Sequence, residues 1–187
     1  MEKVGVLALQ GSFAEHLAIL RRMPGIEPLE VKTIAQLEAV DRLIIPGGES
    51  TAIGKLLRKT GMLPLLQKRI EEGLAVWGTC AGLILLAKRI VGEEPYLDAM
   101  DITVKRNAYG SQLDSFRCEQ IIPAISAKPI HLVFIRAPWI EAVGPEVEVL
   151  AERDGRIIAA KQGRLLATSF HPELTQDTSV YEYFLQM

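Results

Sequence analysis

With 187 residues, 49% hydrophobic and 24% charged, the chain has the make-up of a globular protein of about one domain, which excludes intrinsic disorder. Its 21 basic and 23 acidic side chains nearly cancel to a net charge of -2, leaving no electrostatic footprint for nucleic acid or an anionic membrane. Apolar stretches such as Leu83 to Ala87 fall far short of the about 20 residues that span a bilayer, and Cys80 and Cys118 form neither a disulfide framework nor a CxxC pair, so a soluble, cytoplasmic protein with reduced thiols is expected.

The opening run Lys3 to Leu9 is short and almost wholly apolar, which predicts a strand buried on both faces of a parallel sheet. Phe13, Leu17 and Leu20, with Ala14 and Ala18, follow at helical spacing until Pro24-Gly25 ends the run. The pattern then repeats. Strands are predicted at Pro28 to Lys32, Asp41 to Ile45 and Leu74 to Trp77, and helices at Ile34 to Ala39, Ser50 to Lys59, Leu63 to Glu72 and Leu83 to Arg89. Such a βαβα order calls for a parallel sheet covered by helices. Later runs separated by Gly or Pro turns predict further, partly antiparallel strands at Asp101 to Val104, Ile130 to Ile135, Val147 to Glu152, Arg156 to Ala160 and Leu165 to Ser169. Arg153-Asp154-Gly155 is a hairpin signal, because Asp-Gly tolerates the positive φ of a tight turn. A last helix is predicted from Ser179; no repeat or linker divides residues 1–187, so a single domain is expected.

Gly78-Thr79-Cys80-Ala81-Gly82, between a predicted strand and a predicted helix, has the G-x-nucleophile-x-G form of a nucleophile elbow. Flanking glycines remove the Cβ atoms that would collide in so sharp a turn, and the helix start favours a thiolate. A thiolate nucleophile needs a general acid for the leaving group. Of His16, His131 and His171, the last is best placed, in Ser169-Phe170-His171-Pro172-Glu173 just after a predicted strand. Pro172 biases His171 toward an extended conformation, in which residues two apart face the same way, so Glu173 can reach the imidazole. This supplies a candidate Cys-His-Glu triad. His16 and His131 read as surface or core histidines, and Cys118 as structural.

Pro46-Gly47-Gly48-Glu49-Ser50 follows the third predicted strand and can bring backbone N–H groups to the same sheet edge as the elbow, where one of them, with the Ala81 N–H, would form an oxyanion hole. Phosphate-binding spacings such as GxxxxGK[ST] are absent. Arg106 and Arg136, near predicted strand ends, could each anchor a carboxylate.

Taken together, GTCAG, PGGES and HPEL resemble the class I, triad-type glutamine amidotransferases. The longer words LALQGSFAEH, PGGEST, GTCAGLILLAK, RNAYGSQLDSF, FIRAP and SFHPELTQD are similar to those of glutaminase subunits of pyridoxal 5'-phosphate synthases, over nearly the whole chain. The resemblance implies a three-layer α/β fold with a mostly parallel central sheet and added antiparallel strands. It implies Cys80 as nucleophile with His171 and Glu173, glutamine binding at Gly48, Glu49, Ser50, Arg106, Ile135 and Arg136, and oxyanion donors at the backbone of Gly48 and Ala81. It further implies L-glutamine as substrate, no metal or organic cofactor, and a synthase subunit as partner, with Gln10 near that interface. Two stretches depart from the family pattern: Tyr109-Gly110-Ser111-Gln112 stands where Phe-Gly-Arg-Gln is usual, and Ser115-Phe116-Arg117 where Ser-Phe-Glu is usual.

Two rival readings remain open at this point. Another cysteine hydrolase on a similar sheet would also carry the elbow but would lack the late HPE. A binding or regulatory subunit that has lost activity would have no need of Cys80, His171 and Glu173 together.

Overall fold

The computed structural model describes residues 1–106 and 115–187, so the Tyr109 to Gln112 departure lies outside the described residues. The elements run β1 (Glu2–Leu7), α1 (Phe13–Leu20), β2 (Ile26–Val31), α2 (Ile34–Ala39), β3 (Arg42–Ile45), α3 (Ser50–Lys59), α4 (Met62–Glu71), β4 (Ala75–Thr79) and α5 (Ala81–Leu86). There follow β5 (Ala87–Ile90), β6 (Met100–Lys105), β7 (Phe116–Ile122), β8 (Ser126–Phe134), β9 (Trp139–Val143), β10 (Glu148–Arg153), β11 (Arg156–Gln162), β12 (Leu165–Thr168), a 3-10 turn (Pro172–Leu174) and α6 (Ser179–Leu185).

Among the described residues, ten strands form one sheet in the order β2-β1-β3-β4-β12-β11-β9-β6-β5, with β10 on β11, while β7 and β8 pair separately. The half from β2 to β12 is parallel throughout. In β3, β4 and β12 every residue is buried, as a sheet covered on both faces requires.

Strand alternation sends neighbours to opposite cores. Leu43, Ile45 and Val76 join α2 to α5 on one face, whereas Val4, Val6, Ile44 and Trp77 join α1, α6 and the β7-β8 pair on the other. On this second face Trp77 packs edge-on against Tyr181, their ring centroids 4.9 Å apart, and against Phe184 of α6. Arg42 reaches from β3 to hold the end of α6, donating from Nη1 to the carbonyls of Phe184 and Met187 at 3.0 and 2.9 Å. The β10-β11 hairpin turns through Asp154 (φ 51°) and Gly155 (φ 73°), the positive-φ pair expected of Asp-Gly.

The structure corrects the sequence reading at three places. The helix expected over Leu83 to Arg89 stops at Leu86, and residues 87 to 90 pair with β6 instead. Arg89 fixes that pairing through bonds to Thr103 Oγ1 and Asp101 Oδ1 on the neighbouring strand. The strands β7 and β9 escape the apolar-run criterion because exposed residues interrupt them, alternately at Arg117 and Glu119 in β7 and side by side at Glu141 and Ala142 in β9, where the pairing with β6 shifts register. His171 is not followed by extended chain: residues 172–174 form the 3-10 turn.

Candidate active site

The sheet delivers its loops to one rim. The segments after β1, β3, β4 and β12 emerge at the carboxyl ends of adjacent parallel strands, where open α/β sheets gather their chemistry. Cys80 is the hinge between β4 and α5, at φ 50° and ψ -103°, a left-handed conformation that costs a non-glycine residue about 1–3 kcal/mol and must be held by its surroundings. Its N–H donates to the Thr168 carbonyl at 2.8 Å, clamping the turn to β12. A Cβ on Gly78 would overlap the backbone of Gly82, and a Cβ on Gly82 would overlap the Ile45 carbonyl. The two glycines therefore let β4 and α5 fold back on each other against β3.

His171 is anchored by its N–H to the Val133 carbonyl at 2.8 Å, and its side chain is buried. Its Nδ1 donates to Glu173 Oε1 at 2.7 Å, the contact made through the 3-10 turn rather than along extended chain. Cys80 and His171 abut the same glycine: a Cβ on Gly47 would overlap His171 Cε1 and lie 3.4 Å from Cys80 Cβ. With Nδ1 taken by Glu173, Nε2 is the nitrogen left for Cys80. It is buried and has no partner within regular hydrogen-bond geometry, and Cys80 leads the influences that raise the His171 pKa.

The electrostatics follow from burial and pairing. Burial alone would lower the His171 pKa, but bonding and attraction to Cys80 and Glu173 push it up to about 10. Burial alone would raise Glu173; His16, the bond from His171 and the bond from Ser12 hold it well below the usual carboxylate range. Burial, the largest influence on His16, pulls that imidazole below its ordinary value and keeps it neutral at neutral pH. Among the influences that lower Glu173, His16 leads, followed by His171 and Ser12.

These side chains border a cavity of about 390 Å³ lined by Gly48, Glu49, Ser50, Cys80, Ala81, Arg106, Ile135, Arg136 and His171, among others. Of the residues to which the resemblance assigns a catalytic, oxyanion or glutamine-binding role, all line it except Glu173, which stands behind His171. Arg106 is held in place by Ser50 Oγ, Thr51 Oγ1 and Glu93. Arg136 takes a left-handed backbone conformation, φ 43°, and Ile135 is exposed.

Three contributors were not legible as site residues. Gln10 accepts the Glu49 N–H on its Oε1 at 2.8 Å, pinning the loop after β3. Ser12 donates from Oγ to Glu173 Oε1 at 2.7 Å, and His16 lies wholly buried behind the carboxylate. The signal available was their shared sequence word after β1. His131 lies apart, exposed and paired with Glu119 across the β7-β8 ladder. Among the described residues no cluster of three or more His, Cys, Asp or Glu could hold a metal ion, and no helix is long and apolar enough to cross a membrane.

The sequence profile of the SNO glutamine amidotransferase family matches residues 6–187. The chain belongs to that family. It is 55% identical over 186 residues to the pyridoxal 5'-phosphate synthase subunit PdxT of Caldanaerobacter subterraneus, covering 99% of this chain and 98% of the relative. The PdxT of Chloroflexus aurantiacus is likewise 55% identical, over 189 residues. A solved glutamine amidotransferase structure superposes with a TM-score of 0.91 at 49% identity, covering 98% of this chain and 97% of that one. PurLQS from Thermotoga maritima, at 16% identity and a TM-score of 0.67, shares the fold of the family.

Proposed function

We infer that this chain is the glutaminase subunit of a pyridoxal 5'-phosphate synthase and that Cys80, His171 and Glu173 carry its chemistry. The observation behind the assignment of residues is the meeting of a cysteine elbow and a carboxylate-held imidazole against the Cβ position of Gly47, in a member of a glutamine amidotransferase family. Relatives 55% identical over nearly their whole length carry the name of that subunit, which supports the pathway assignment.

The Cys80 thiolate attacks the side-chain amide carbon of L-glutamine. Backbone N–H groups of Gly48 and Ala81 receive the oxyanion, and protonated His171 passes its proton to the departing ammonia. A γ-glutamyl thioester is left on Cys80. His171, now neutral, takes a proton from water as it attacks the thioester, and glutamate leaves with the thiolate restored. Glu173 holds the ring so that Nε2 faces the sulfur and supports the imidazolium that forms. Glu49, Ser50, Arg106, Ile135 and Arg136 position the substrate, the arginines offering bidentate sites for its carboxylate. The ammonia passes to the synthase subunit, and the protein works in the cytoplasm.

Activity is expected to depend on that partner. The Gly47 carbonyl is held by the Ser12 N–H at 3.0 Å, and a glycine pair can reorient the peptide between residues 47 and 48. Docking that releases this bond would turn the Gly48 N–H. The test is glutamate and ammonia release with and without the synthase subunit. Glutaminase turnover that rises on reconstitution and vanishes in Cys80→Ala is expected; turnover retained in Cys80→Ala overturns the assignment.

A further inference from the structure

The catalytic reading uses one oxygen of Glu173 and leaves the other unexplained. Oε1 accepts from both His171 Nδ1 and Ser12 Oγ, each at 2.7 Å. Oε2 is buried and has no hydrogen bond of regular geometry, and the group facing it is His16 Nε2 at 3.6 Å. A buried carboxylate oxygen without a donor is costly, so its neighbour bears on how firmly the carboxylate is held.

His16 sits on α1, wholly buried, with its two nitrogens facing different groups. Nδ1 lies 2.7 Å from the Tyr181 hydroxyl of α6, and Nε2 lies 3.4 Å from Thr79 Oγ1 as well as facing Glu173. Tyr181 is itself buried and packed edge-on against Trp77. A neutral imidazole has one N–H and one lone pair, and the bond made by one nitrogen decides the role of the other. Were the proton on Nδ1, the Nε2 lone pair would face the Glu173 carboxylate, acceptor against acceptor. With the proton on Nε2, the Tyr181 O–H donates to Nδ1 and the Nε2–H points at Oε2 and Thr79. Only this tautomer turns a proton rather than a lone pair toward Oε2 while the Tyr181 bond to Nδ1 is kept.

We propose that His16 is a positioning residue for the Glu173 carboxylate, its Nε2–H steadying Oε2 while Tyr181 fixes the tautomer from behind. The proposal rests on the reading of Cys80, His171 and Glu173 as the catalytic groups. It extends their line through two further side chains, from the rim of the sheet to the helix on its far face. His16 touches no substrate; it acts by restricting the carboxylate to the orientation that serves His171. Burial, which keeps His16 neutral, suits it to this task, since a charged imidazole would compete with His171 for the same carboxylate.

The test uses the full chain reconstituted with its synthase subunit. Imidazole nitrogen NMR at neutral pH is expected to show His16 protonated at Nε2 and bare at Nδ1; a proton on Nδ1 overturns the proposal. His16→Leu is expected to lower kcat for glutamine hydrolysis about tenfold with KM changed less than about twofold, the pattern of lost orientation rather than lost binding. His16→Gln, whose amide can donate toward Oε2, should recover most of that loss. Parental kcat in a folded His16→Leu protein overturns the proposal. Where that variant does not fold, Tyr181→Phe decides: it deletes one oxygen, leaves the ring on Trp77, and should mix the His16 tautomers and lower kcat about threefold, with parental kcat overturning the proposal. Cys80→Ala run in parallel separates the two claims. Turnover retained there sinks the catalytic reading, whereas turnover lost there beside a parental rate in His16→Leu sinks the positioning role alone.

Discussion

Ser12 joins Glu173 to the loop after β3: its hydroxyl donates to the carboxylate at 2.7 Å while its backbone N–H donates to the Gly47 carbonyl at 3.0 Å. One residue therefore touches both the group that orients His171 and the peptide proposed to receive the oxyanion. A rearrangement at Gly47 reaches Glu173 through a single intervening residue.

Ser12→Ala removes the side-chain bond and leaves the backbone bond in place. A hydrogen bond to a charged group is worth about 1.5–3 kcal/mol, and Oε1 keeps its bond from His171, so a stability loss of about 1–2 kcal/mol is expected. The turnover number should fall about three- to tenfold while dependence on the synthase subunit persists. Denaturant melts and glutaminase assays check both parts; unaltered turnover would show that Ser12 is not needed to hold the carboxylate.

Cys80→Ala should do more than stop catalysis. Bonding and attraction to Cys80 are the leading upward influences on the His171 pKa. Removing the sulfur leaves burial pulling down against Glu173 alone, so the imidazole should titrate lower than in the parent. Histidine NMR titration reads this, and an unmoved His171 would mean that the sulfur does not act on the ring.

The site also shapes stability against pH. Glu173 lies below its ordinary 4.5, so its contribution is complete above about 4.5 and is lost as acidification proceeds toward about 2. His16, buried and depressed below 6.5, adds to the acid loss, because below that pH the unfolded chain takes up its proton more readily. His171, raised to about 10, contributes fully below 6.5 and loses its share as pH climbs from there through about 10. The thermal midpoint should therefore peak near pH 6.5, and Glu173→Gln should flatten the profile, most of all below pH 4.5. An identical profile in that variant would remove Glu173 as a source.

The elbow predicts a contrast between two glycines. A Cβ at Gly82 would overlap the Ile45 carbonyl, whereas one at Gly25 meets nothing within 4 Å and suffers only from a φ of +77°. Forced overpacking costs about 1–3 kcal/mol or more, and a left-handed alanine about 1–2 kcal/mol. Gly82→Ala should lose both stability and glutaminase activity, and Gly25→Ala a little stability with activity intact. Equal activity in the two variants would deny the close packing of β3 against α5.

Periodicity made the parallel half of the sheet legible, because β1, β3, β4 and β12 are continuous apolar runs bounded by turns, and Ile34 and Ser50 open their helices where the pattern begins. It failed at β5, β7 and β9, where exposed polar or charged residues dilute the apolar signal and pairing with a neighbouring strand decides the conformation. Cys80 and its glycines stand together in sequence, so their turn could be read directly. The neighbourhood of His16 could not: Thr79, Glu173 and Tyr181 come from β4, the 3-10 turn and α6, and no local spacing announces that they meet.

The grip of Arg42 on the carbonyls of Phe184 and Met187 has a corollary. Those bonds seat the last helix, which carries the tyrosine behind His16. A guanidinium far from the cavity thereby steadies, by way of a helix, the aromatic hydroxyl that props the ring beside Glu173, so damage at Arg42 would be felt at the opposite end of that chain of contacts.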